Sequence, residues 1–109
     1  MDLNLFDEFG FTKDVDISSQ LAKVMEESEE VYADATRVSY LLGAVEPLDT
    51  KMLEEALGDL EKELLDNMLA LYNMYKIVSK IGNKRDSFME WYQKMKGYKD
   101  GKYKELVEE

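Results

Sequence analysis

Apolar residues recur along this chain in steps of three and four, a spacing that predicts helices rather than strands. Ile17, Leu21, Val24, Met25, Val31, Tyr32, Ala35, Val38 and Leu42 keep this spacing over the first long stretch. Good N-caps stand just before or within its start at Asp16, Ser18 and Ser19, so the helix is expected to run from there to about Leu42. Gly43 is a stop signal, and residues 43–50, which include the only proline, Pro47, read as a loop. Asp49 or Thr50 can cap a second and longer helix over about 51–81. Its stripe is Leu53, Leu57, Leu60, Leu64, Met68, Leu71, Tyr75 and Val78, with Gly82-Asn83 as its end. A shorter third helix is expected over about 85–95, carrying Phe88, Met89, Trp91 and Tyr92.

The flanks read differently. Residues 1–15 look like an irregular arm, interrupted by Gly10, that Phe6, Phe9 and Phe11 could pack onto the body. Residues 16–98 form the expected helical domain, and 99–109 a polar tail punctuated by glycine. The fold class is therefore all-α: an antiparallel helical hairpin plus a shorter third helix. A hairpin of this size buries little by itself. Dimerisation is expected to complete a four-helix bundle core, as a homodimer or homotetramer.

Composition narrows the chemistry. The 109 residues carry 24 acidic and 14 basic side chains, a formal charge of −10. Nucleic-acid binding needs a basic footprint and is not expected. Docking on an anionic membrane surface is disfavoured for the same reason. No stretch approaches the roughly 20 apolar residues of a membrane span. The acidic start MDLNLFDEF does not read as a signal peptide, so the cytoplasm is the expected location. There is no cysteine and no histidine. Thiolate nucleophiles and zinc sites built on those residues are excluded. Carboxylates remain, and they favour hard cations such as Mg²⁺, Mn²⁺ or Ca²⁺.

The carboxylates are patterned. Glu26, Glu27, Glu30 and Asp34 fall in one arc of roughly 100° beside the apolar stripe of the first helix. Glu27 and Glu30 are i, i+3 neighbours, and like charges at that spacing repel unless a cation lies between them. Glu63 and Asp66 repeat the spacing on the second helix. Antiparallel packing could bring both pairs to one oxygen-rich site. The alternative is an ordinary solvated acidic face, the usual fate of a charge run. Glu46 and Asp49 share the same spacing, but their proline-containing loop argues against paired helical ligands.

At this level the chain resembles the MazG family of all-α nucleoside triphosphate pyrophosphohydrolases. The resemblance covers about residues 18–82. It rests on Leu21-Ala22-Lys23-Val24-Met25-Glu26-Glu27-Ser28-Glu29-Glu30, similar to the family's EExxE helix. It rests equally on Glu63-Leu64-Leu65-Asp66 and the apolar run after it, similar to the family's ExxD helix. The resemblance implies cleavage of a (d)NTP substrate between its α and β phosphates, giving a monophosphate and pyrophosphate, with nucleotide-pool sanitation as the implied role. It implies Mg²⁺, with Mn²⁺ as a substitute, held by Glu27, Glu30, Glu63 and Asp66. Glu26, Glu27 and Glu30 are the implied catalytic residues, Glu26 as a ligand or a base.

Substrate contacts are expected from Lys23, Lys94 and Lys96 to phosphates, and from Gln20 and Asn67 to base or sugar. Each has a plainer reading: a Lys23–Glu27 salt bridge, and surface lysines at 94 and 96. Trp91 or Tyr92 could stack on a base, or simply pack. A different class of function also fits the acidic helices. It is a non-catalytic interaction protein, such as an accessory factor of a phage or mobile element.

Overall fold

The computed structural model describes residues 4–13, 15–44, 49–81, 86–102 and 104–107. Every regular element among them is a helix: α1 Leu5–Phe9, α2 Ile17–Leu42, α3 Thr50–Ile81, α4 Ser87–Asp100 and α5 Lys104–Val107. They belong to two units, residues 1–78 and 79–109. No helix among the described residues is long and apolar enough to cross a membrane.

Local signals set the helix ends. Asp16 caps α2, its carboxylate accepting from the Ser19 amide at 3.0 Å and the Ser19 hydroxyl at 3.3 Å. A cap of this kind contributes about 1 kcal/mol. At the other end the Gly43 amide donates to the Ser39 carbonyl. Asp49 accepts from the Met52 amide at 3.1 Å at the start of α3. Val45 to Leu48, with the Glu46 of the loop, lie outside the described residues, as do Gly82 and Asn83. Asp86 caps α4 through the Met89 amide. The helix then continues through Gly97 to Asp100, beyond the expected end near 95 and across the expected boundary at 98. A further short turn, α5, lies in the segment expected to be a polar tail.

Contacts between α2 and α3 descend along α3 as they ascend along α2. The Gln20 amide donates to the Ala70 carbonyl at 2.9 Å, the Ser28 hydroxyl meets Asn67 at 3.5 Å, and Arg37 pairs with Asp59 at 3.0 Å. Along α2 the residues Gln20, Val24, Glu27, Val31, Asp34, Val38 and Leu41 are buried or half-buried. Along α3 the corresponding row is Leu53, Ala56, Leu60, Glu63, Asn67, Ala70, Met74 and Ile77. Steps of four and three alternate in both rows, the 3.5-residue period of a coiled-coil seam.

The expected stripe divides: Val24, Val31, Val38, Leu53 and Leu60 lie in the seam. Several large apolar residues of the stripe lie beside the seam and are exposed: Leu57 46%, Leu64 43%, Leu71 46% and Tyr75 58%. Leu21, Met25 and Tyr32 on α2 are exposed as well. The seam mixes apolar residues such as Val24, Val31, Leu53 and Leu60 with small and polar ones. Its buried apolar members are Val38, Ala56, Ala70 and Met74, and no large side chain among the described residues is completely buried.

The N-terminal arm is more ordered than expected. It contains α1, and it docks on one turn of α3. Phe6 packs against the Tyr72 ring with centroids 6.0 Å apart. The Tyr72 hydroxyl donates to the Asp7 carboxylate. The Phe11 amide donates to the buried Asn73 side chain at 2.9 Å, and Lys76 donates to the Phe11 carbonyl at 2.7 Å. Phe9 and Phe11 expose their rings, so the Phe11 backbone, not its side chain, makes the anchor. Gly10 permits this approach. A Cβ there would lie 2.6 Å from the Phe6 carbonyl oxygen, 2.9 Å from the Lys76 ammonium and 3.1 Å from the Tyr72 ring. Gly10→Ala is therefore expected to lift the arm, lowering unfolding free energy by about 1–2 kcal/mol. Hydrogen exchange checks this directly: the Phe11 amide should lose protection while amides in the middle of α2 keep theirs.

Candidate metal centre

Seam geometry brings the expected acids together. Glu27 comes from the middle of α2, and Glu63 and Asp66 from adjacent turns of α3. One carboxylate oxygen of each lies within 4.8 Å of the others. Glu27 is 5% exposed, Glu63 half-buried and Asp66 exposed, so the cluster runs from the seam out to solvent. It is the one group of three or more acids with ligand-like spacing among the described residues.

The two inner acids are incompletely partnered. Glu27 uses Oε1 to accept from the Lys23 ammonium at 2.7 Å. Its Oε2 is buried without a hydrogen-bond partner, and so is Oε2 of Glu63. A buried acceptor left unsatisfied costs about 1–3 kcal/mol, and more when charged. The donor set is all oxygen, which suits a hard cation. Opposite ligands around such an ion, at about 2.1–2.6 Å each, stand roughly 4–5 Å apart, compatible with this spacing.

Glu30 stands next to Glu63 and Glu27. Its carboxyl is pushed up to about 7 from 4.5. The first cause is its contact with Glu63, which becomes a hydrogen bond only when one carboxyl carries a proton. The charge of Glu27 follows, then a contribution from burial. Glu30 is itself exposed, so crowding of like charge outweighs desolvation here. The Lys23 ammonium is held above its ordinary value, first by the hydrogen bond to Glu27 and then by the charge of Glu26.

The chain matches no known family model, no curated protein and no solved structure.

The remaining candidates take varied positions. Glu26 points to solvent, 3.8 Å from the Lys23 ammonium. Gln20 is 3% exposed and spends its amide on the Ala70 carbonyl, a tie between helices. Asn67 sits on the seam and accepts from Ser28. Lys94 and Lys96 lie on α4, in the other unit. The Lys94 ammonium rests over the Tyr98 ring, 5.6 Å from its centroid. Lys96 lines an open groove of about 500 Å³ with Trp91, Tyr92, Met95, Lys99 and Asp100. Trp91 and Tyr92 also cluster with Phe88, at centroid distances of 6.0 and 6.5 Å. The sequence pattern did not single out Asn73, Tyr72 or Asp7, which fix the arm. A polar Asn73 inside an apolar run is the signal that marked it.

Two outcomes follow for protein kept free of divalent cations. Glu30 binds a proton more tightly when folded. Its stabilising contribution is thus complete below pH 4.5 and is lost as pH rises through about 7. Glu30→Gln should melt higher than the parent chain at pH 8 and much like it at pH 4.5, the gap narrowing in high salt. Melting curves across pH decide it, and a gap that does not change with pH would contradict the assignment. Second, Glu63→Gln gives the cluster a donor in place of a charge. It should stabilise the cation-free chain by about 1 kcal/mol, and abolish any rise in melting temperature on adding Mg²⁺.

Proposed function

We propose that the protein is a Mg²⁺-dependent nucleoside triphosphate pyrophosphohydrolase, a hydrolase acting on a phosphoric anhydride bond. The observation that carries this reading is the buried, unpartnered Oε2 of Glu27 within the Glu27–Glu63–Asp66 cluster. The resemblance of residues 21–30 and 63–66 to the MazG motifs supplies the reaction class. Glu27, Glu63 and Asp66 hold the cation, with Glu30 completing the shell or standing beside it. When bound, a divalent ion supplies charge stabilisation to phosphoryl oxygens and acidifies water. Glu30 takes up the proton of the attacking water. A carboxyl near 7 suits that role at neutral pH, and a neighbouring cation favours its ionised form. Glu26, close to Lys23 and open to solvent, is placed for a supporting role toward substrate.

The same reading includes the assembly. α2 and α3 form an antiparallel hairpin whose exposed stripe, Leu57, Leu64, Leu71 and Tyr75, packs on a second copy into a four-helix core. These residues are already about half covered, so full burial would recover roughly 1 kcal/mol for each leucine. The exposed stripe equally suits a different apolar partner, which is what a non-catalytic interaction protein would use.

One experiment separates the readings. With Mg²⁺ and a panel of NTPs and dNTPs, pyrophosphate should appear. Asp66→Asn and Glu30→Gln, both still helical, should lower the rate at least a hundredfold. Absence of turnover with every nucleotide, together with no thermal shift in Mg²⁺ or Mn²⁺, would refute the enzyme. For the assembly, Leu64→Glu combined with Leu71→Glu should halve the mass seen by light scattering.

A further inference from the structure

The two oxygens of Glu27 have different employment. Oε1 is held by Lys23, one turn earlier on α2, at 2.7 Å. Oε2 is buried and has no hydrogen-bond partner. A carboxylate pinned at one oxygen has lost most of its freedom to rotate about its last bond. Here the pin leaves the other, buried oxygen without a partner of its own. The geometry points to Lys23 as a positioning residue that presents Glu27 Oε2 to a divalent cation, while its ammonium stays on Oε1. This inference rests on the cation reading of the cluster and adds the residue that orients its most buried ligand.

Two opposite effects of Lys23 make the assignment testable by sign. As a bare charge, an ammonium near the cluster repels an incoming cation, and removing it should tighten binding a few-fold. As an orienting donor it works the other way. Outer partners of metal ligands typically contribute 10–100-fold to affinity. Lys23 is half exposed, with a side chain 50% accessible, which puts the expectation at the low end of that range. A phosphate-binding role for the same ammonium would require it to leave Glu27; positioning keeps it in place.

The test is calorimetric titration of Mg²⁺ and Mn²⁺ alone, without nucleotide, in about 0.15 M salt. Compared are the parent chain, Lys23→Met, Lys23→Ala and Lys23→Arg. Methionine, alanine and arginine all favour helix, and Lys23 has half its surface in solvent, so folding is retained and is checked by circular dichroism. Two alternative truncations guard against one of them misfolding. The expected result is about tenfold weaker cation binding in Lys23→Met and Lys23→Ala, and recovery to within about threefold in Lys23→Arg. Unchanged or tighter binding in the truncated chains would overturn the inference and leave the cation site standing. An equal loss in Lys23→Arg would also overturn it, since packing and not the charged donor would then matter. Absence of saturable binding in the parent chain would remove the cation site itself, and the inference with it.

Discussion

The constraint on which this unit turns is a carboxylate placed where a coiled-coil seam would ordinarily take a leucine. Glu27 is nearly inaccessible, and it faces Glu63 and Asp66 across the two helices. Burying a charge is costly unless it is paired, and here only one of its oxygens is. The surroundings accommodate it. Ala56 and Ala70 are buried on the same row of α3 as Glu63, and Gln20 ties the two helices through a backbone bond. Leu53 and Leu60 also lie on that row, whereas Leu57, Leu64 and Leu71 stand on the neighbouring face and are exposed.

Helix boundaries were the legible part of the fold. Asp16, Gly43 and Asp49 act through neighbours within four residues, so a local reading finds them. The core was not legible in the same way. Counting large apolar residues finds Leu53 and Leu60, which are on the buried row, but also selects Leu57, Leu64 and Leu71, which are not, and passes over Ala56, Glu63, Asn67 and Ala70. Hydrophobicity marks what gains from burial; it does not mark which face is already used. The end of α4 was misread for a related reason. Gly97 costs a helix interior about 1 kcal/mol, and this helix bears that cost.

The acids were legible as pairs but not as a site. Spacing along one helix makes neighbours of Glu27 and Glu30, and of Glu63 and Asp66. Which of them share a point depends on the register between helices. Contacts such as Gln20 with Ala70, 50 residues apart, fix that register, and no local pattern encodes them. The structure joins Glu27 to the second pair and sets Glu30 at its edge. Charge along the chain reinforces this placement. Eight of the 14 basic residues fall in 79–109 against only six of the 24 acids, so the unit that holds the cluster is the strongly negative one. Such a field raises the local concentration of cations well before any ligand is met.

The docked arm carries a consequence for the order of assembly. Residues 6–11 close onto Tyr72, Asn73 and Lys76, partners made more than 60 positions later. At roughly 5–20 residues per second of synthesis, the arm waits several seconds for its binding turn to exist. Local helix formation in α2 takes about a microsecond or less, so α2 has long been able to form by then. The arm therefore stays undocked until α2 and most of α3 have been made, so its closure is among the later contacts of this unit to become possible.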